Sequence, residues 1–211
     1  ELLEKDTRFA LEVFPTHPTF YFFNGIANIQ LKNYDKAIES LLAGKEMVFD
    51  NTQLQAEFYQ YLGDAYHAKK EHVKSDECYD RSLEFNQYNP YVLNNYSYYL
   101  SLRKEKLALA ETMAKEANNQ VPDNPNFIDT YAWVLFLKGN HEEAETLLKK
   151  AISLSATPNG TILEHFGDVL FKLNKIEEAI VSWQKAKEAG GASQLIEEKI
   201  LKKYYIEPTT E

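Results

Sequence analysis

The chain has 211 residues, 44% hydrophobic and 13% aromatic, enough to bury a substantial core, and its 8 Gly and 7 Pro leave little room for an all-β reading. A net charge of −9 argues against a surface that tracks phosphates, because nucleic-acid binding draws its affinity from Lys and Arg. The single Cys78 excludes an intrachain disulfide framework and reads as a buried thiol, and no apolar run approaches the roughly 20 residues that span a bilayer.

Residues 1–17 read as the second helix of a truncated repeat ending at Pro15, and the opening on Glu1 in mid-helix reads as the mature or trimmed part of a longer protein. From there the sequence repeats itself. Small residues at Gly25, Gly63, Ser97, Ala132 and Gly167 each introduce an apolar stripe, a polar break and a second amphipathic stretch. Successive small residues are 38, 34, 35 and 35 positions apart, close to the roughly 34 residues of one helix–turn–helix unit. The longer first spacing marks an insertion near Asp50 to Leu54. Five complete units are predicted, at 18–51, 56–89, 90–124, 125–159 and 160–192, followed by a capping helix over 193–205 and a disordered tail over 206–211.

Each slot has a physical role. The small residue lets the first helix of a pair approach the second, where Ala37, Ala144 and Ala179 supply the matching small contact, and Leu41, Tyr79, Leu148 and Trp183 lie one turn further on the same face. Polar breaks at Lys32-Asn33, Lys69-Glu71, Gly139-Asn140 and Asn174-Lys175 supply the turns within pairs, and Pro18, Pro90, Pro125 and Pro158 sit where one unit hands over to the next. In the capping helix, Leu195, Ile196, Ile200 and Tyr204 are expected to face the last pair, and Glu197, Glu198, Lys202 and Lys203 to face water.

Positions three before, one after and four after each small slot form one stripe pointing away from the second helix. Unit by unit it reads Phe22, Ile26, Ile29; Gln60, Asp64, His67; Asn94, Tyr98, Ser101; Asp129, Trp133, Phe136; and Glu164, Asp168, Phe171. The mixture of aromatic, amide and acidic groups is what a peptide groove needs. The candidate binding residues are therefore Gln60, Asp64, His67, Asn94, Tyr98, Asp129, Trp133, Phe136, Glu164, Asp168 and Phe171. Two bland readings stand beside that one: Trp133, Phe136 and Phe171 as filling of the inner curve, and Asp129, Glu164 and Asp168 as a solvated face.

The pattern of Tyr59, Leu62, Gly63 and Tyr66, and of Phe166, Gly167, Ala179 and Ala186, resembles the tetratricopeptide repeat, and the resemblance covers nearly the whole chain. It implies an all-α, right-handed α-solenoid of antiparallel helix pairs with a C-terminal capping helix, acting as a non-catalytic scaffold that binds a protein or extended peptide in its concave groove. Asn24 and Asn28 in normally apolar slots, Ser75 in place of Ala, and an extra turn residue before Ala110 depart from the pattern. Some members of this family hold a partner's terminal carboxylate with a clamp of Lys, Asn and Arg. Only Asn94 matches that clamp, so a basic or neutral segment is the expected ligand. The blocks around 129–151 and 164–186 resemble bacterial members that are frequently exported or lipid-anchored, which implies an envelope location.

An enzyme is not expected. His17, His67, His72, His141 and His165 are scattered without metal-ligand spacing, no phosphate loop or nucleophile elbow is present, and Glu142 and Glu143 suit the first turn of a helix. No cofactor is expected. The alternatives to a scaffold are a self-assembling module that docks through its repeat ends, near Leu2, Leu3 and Phe9, and an accessory domain of a larger protein.

Overall fold

The computed structural model describes residues 1–207, which hold twelve α-helices and no strand. They are α1 (Leu2–Val13), α2 (Pro18–Gln30), α3 (Tyr34–Lys45), α4 (Thr52–Ala68), α5 (His72–Phe85), α6 (Pro90–Leu102), α7 (Leu107–Gln120), α8 (Pro125–Leu137), α9 (His141–Leu154), α10 (Gly160–Lys172), α11 (Ile176–Ala189) and α12 (Ile196–Lys202). Two compact units divide within α6, the first covering Glu1–Val92 and the second beginning at Leu93.

The helix boundaries follow from local chemistry. Pro18 and Pro125 occupy the first turn of α2 and α8, where a missing N–H is no loss. Asn51, Asn124 and Asn159 cap α4, α8 and α10 by accepting from backbone N–H groups, for example that of Leu54 at 2.9 Å and that of Ile162 at 2.9 Å. Every turn within a pair closes in the same way. Lys32, Lys70, Lys104, Gly139 and Asn174 are left-handed, and the next residue's N–H returns to a carbonyl five positions back, as from Asn33 to Asn28 at 2.8 Å and from Asn140 to Leu135 at 2.9 Å.

In the first unit α1 packs on α2, α2 on α3, α3 on α4 and α4 on α5. A Cβ added at Gly25 would stand 2.5 Å from Leu41, and one at Gly63 would stand 2.9 Å from Tyr79, so the small slots are set by contact with the second helix of each pair. The 38-residue spacing has its origin in α4, which has 17 residues where α2 has 13. The two asparagines in apolar slots are buried and satisfied: Asn24 donates to Thr7 Oγ1 at 3.0 Å and accepts from Ser40 Oγ at 2.7 Å, and Asn28 donates to Asn24 Oδ1 at 3.0 Å. Ser75 uses its hydroxyl to donate to the Gly63 carbonyl at 2.9 Å. Leu2 and Phe9 on α1 are exposed.

In the second unit α7 packs on α8, α8 on α9, α9 on α10 and α10 on α11, and the same slot logic holds. Ala132, Ala144 and Ala179 are fully buried, and Gly167 lies directly beneath the Trp183 ring. The capping helix differs from expectation. It spans only Ile196–Lys202, because left-handed Lys203 closes it, and Tyr204 is mostly exposed with an edge on Phe171. Of the tail expected to be disordered, Glu207 pairs with Lys104, and 208–211 lie outside the described residues.

Candidate functional site

The stripe has a different fate in each unit. In the first, α2, α4 and the start of α6 line an open groove of about 660 Å³, walled by Phe22, Phe23, Ile26, Tyr61, Tyr88 and Tyr91 and floored by amides. Phe22 packs edge-on to Tyr61 at 5.3 Å and to Phe58 at 5.2 Å, which fixes the wall, while Phe23, Tyr88 and Tyr91 remain exposed. Asn86 donates to Gln53 at 3.3 Å and Asn89 donates to Gln60 at 3.4 Å, leaving each pair with further donors and acceptors. Among the described residues, Glu57 is the one ionic group in this lining. Of the predicted residues, Gln60 lies here. Asp64 accepts from the Tyr79 hydroxyl, and the His67 ring lies 5.7 Å from that of His72, so both are engaged with the second helix of their own pair.

In the second unit most of the stripe is buried, with Tyr98 and Phe171 half-buried. Asn94 donates to its neighbour Asn95 at 3.3 Å, and the Tyr98 ring lies 6.1 Å from that of Tyr99. Asp129, Trp133, Phe136, Glu164 and Asp168 are each less than a tenth exposed. Over Glu164, Asp168 and Phe136 the cover is the chain's own C-terminal segment. Lys199, 1% exposed, reaches Glu164 at 2.8 Å and both oxygens of Asp168 at 2.8 and 2.7 Å. Ser193 adds its backbone N–H and its hydroxyl to Glu164, each at 2.6 Å. Tyr205 lies edge-on to Phe136 at 5.8 Å, with Lys172 over its ring at 4.6 Å. Trp183 Nε1 donates to Asp168 at 2.9 Å from beneath. Beside this cluster the His165 ring stacks on Trp133 at 4.1 Å and holds Asp129 Oδ1 at 2.9 Å. Neither a solvated acidic face nor an open aromatic one describes these residues: the acids find their partners within the chain.

The electrostatics follow from one ammonium shared by two buried carboxylates. Burial pushes the Asp168 carboxyl up to about 6; Lys199 counters this only in part, and the Glu164 charge adds to it. Burial also raises Glu164, but Lys199 and the two bonds from Ser193 outweigh it and hold Glu164 below the usual carboxylate range. Burial pulls His165 down, yet the charge and hydrogen bond of Asp129 outweigh burial and the net shift is upward. The repeat pattern does not single out Lys199, Ser193 or Tyr205. The available signal is Lys199 itself, one residue before Ile200 and three after Ile196, on the apolar side of a helix where a solvated lysine does not belong.

Among the described residues no cluster of His, Cys, Asp or Glu could hold a metal ion, and burial raises the Cys78 thiol to about 11, well above the range of a reactive thiolate. No described helix is long and apolar enough to cross a membrane.

A family model described as anaphase-promoting complex, cyclosome, subunit 3 matches residues 101–186. Comparison with curated protein sequences found no match. Among solved structures, PilF of Pseudomonas aeruginosa is 20% identical, with a TM-score of 0.71 over 88% of this chain and 83% of that one. A tetratricopeptide-repeat protein of Thermus thermophilus is 16% identical, with a TM-score of 0.68 over 88% of this chain and 98% of that one. A chain of the Cut9–Hcn1 hetero-tetramer is 14% identical, with a TM-score of 0.82 over 96% of this chain but 39% of that one. The chain therefore has the tetratricopeptide-repeat fold.

Proposed function

We propose that the chain is a non-catalytic scaffold that binds an extended peptide of neutral or basic character in the groove of its first unit. The supporting observation is that groove's lining: exposed aromatic rings at Phe23, Tyr88 and Tyr91 stand around paired side-chain amides, with Glu57 as the ionic group. Aromatic rings give contact area at low entropic cost, and amides with spare donors and acceptors match the alternating N–H and C=O of an extended backbone. A groove whose described lining carries Glu57 and no cation favours a neutral or basic ligand over an acidic tail.

The test is selection from a displayed library of random peptides, followed by titration of the winners against wild type and a Phe23→Ala, Tyr88→Ala double variant. Tyr88 is mostly exposed and Phe23 is 42% exposed, so the fold should survive their loss. Selected peptides should be neutral or basic and should lose at least about tenfold in affinity, roughly 1.4 kcal/mol, for the variant. Peptides that bind both proteins equally would place the interaction elsewhere.

A further inference from the structure

The C-terminal segment has the features of a ligand, and its seat has those of a receptor. α12 has seven residues, too short to be helical in isolation, so it is ordered by what it touches. Its buried anchors are Ile196, Lys199 and Tyr205, joined by half-buried Ile200 and by Ser193 on Glu164, while Glu198, Leu201, Lys202 and Lys203 are exposed and Glu197 pairs with Lys187 at the surface. It joins α11 through Gly190 and Gly191, both at positive φ, with nothing within 4 Å of where a Cβ would stand. With the segment removed, the seat would show the two carboxylates of α10 and the rings of Phe136 and Phe171 on which Tyr205 and Tyr204 rest, complementary to an ammonium on an apolar support.

We propose that Glu164 and Asp168 form a lysine receptor that residues 193–205 fill as an internal ligand, and that an amphipathic, lysine-bearing segment of a partner protein binds there by displacing it. The chain's own segment shows the chemistry such a partner must present: an ammonium reaching both carboxylates, an apolar residue three positions before it as Ile196 is to Lys199, and an aromatic ring six positions after it as Tyr205 is. Neither carboxylate can stay both buried and ionised without a cation, so at neutral pH release of Lys199 and capture of a partner's lysine are coupled. Because the internal segment occupies the receptor, apparent affinity for any competitor is reduced by the fraction of molecules that are closed. The proposal does not depend on the groove of the first unit.

Two measurements test it. In native-state hydrogen exchange of the wild type, the amides of Ser193, Lys199 and Tyr204 should exchange at least about tenfold faster than those of Val169 and Leu170 in α10, through an opening confined to the segment. Equal rates would make the segment part of one cooperative core and overturn the proposal. In the second, a labelled synthetic peptide of residues 193–207 is titrated against the full chain. It should bind Lys199→Gln about tenfold or more tightly than wild type, because the internal competitor is weakened. The same peptide with norleucine in place of Lys199, and Lys202 and Lys203 kept, should bind neither. Tyr205→Ala, which loosens the segment without touching the carboxylates, should raise binding as well and serves if Lys199→Gln does not fold. Equal affinity of the folded variant and wild type, or binding indifferent to loss of Lys199 from the peptide, would refute a lysine receptor.

Discussion

Trp133→Ala separates two accounts of one residue. As an anchor on an open groove, Trp133 would cost a ligand about 2 kcal/mol of binding when truncated and leave stability alone. The structure argues otherwise: the indole is 4% exposed and lies between Phe136, at 5.0 Å and 20°, and His165, at 4.1 Å and 15°. Burying an aromatic ring of this size removes roughly 200 Å² from water, worth about 5 kcal/mol, and core Trp-to-Ala changes cost about 3–5 kcal/mol. The cavity would also expose the His165–Asp129 pair to water, so a loss of about 4 kcal/mol is expected. Urea unfolding followed by circular dichroism measures it, and the fluorescence of Trp183, the one tryptophan left in the variant, reports the second unit directly. Trp133→Phe should stay within about 1 kcal/mol of wild type, because it keeps the stack and removes an indole N–H that is buried without a hydrogen-bond partner among the described residues. A loss below about 1 kcal/mol for Trp133→Ala would mean that the ring bears on little besides solvent, and the core assignment would fail.

Gly167→Ala should destabilise by about 1–3 kcal/mol despite alanine's better helix propensity. The new Cβ would stand 2.4 Å from the Trp183 ring, which is fully buried and fixed by Asp168, and a thermal melt showing unchanged or raised stability would contradict that contact. The second unit should also be most stable in mild acid. His165, raised above its ordinary 6.5, contributes stability that is present below 6.5 and lost as pH rises through its folded value. Asp168, raised from 3.8 to about 6, gains stability as pH falls through that interval and loses it as pH rises. Glu164, held low, contributes above 4.5 and loses its contribution below. Melting temperature against pH should therefore peak between about 4.5 and 6, and Asp168→Asn should flatten the climb from 6 down; a wild-type maximum at alkaline pH would refute the ion cluster.

The repeat was legible because its constraints are local. A residue without room for a Cβ opposite Leu41, Tyr79 or Trp183, a left-handed turn after each first helix, and an asparagine or proline at each start all leave fixed marks in sequence. The buried asparagines were legible only as anomalies, since Asn24 is explained by Thr7 and Ser40 on other helices. The stripe was legible as a set of positions, and its lining in the first unit follows from it through Phe22, Ile26 and Gln60. Its burial in the second was not, because periodicity within α8 and α10 says which side chains share a face and nothing about what a distant segment lays across it.

The two halves of the stripe differ in a way that accounts for the hidden lysine. In the first unit the floor is amide, and an amide left open to water costs little, so the groove can stand empty. In the second the position equivalent to Gln60 is a carboxylate, Asp129 or Glu164, and Glu164 and Asp168 sit on a face already crowded by Trp183 and His165. Carboxylates desolvated by such neighbours demand a cation, and a helix face that demands one is stable only when the cation arrives on an apolar support that completes the burial. Lys199, carried between Ile196 and Ile200, meets both conditions. Charge alone would have been satisfied by any surface lysine at less cost in order. The acids of α10 therefore specify a segment, ammonium and apolar flank together, which makes their pairing a recognition event that this chain performs on itself.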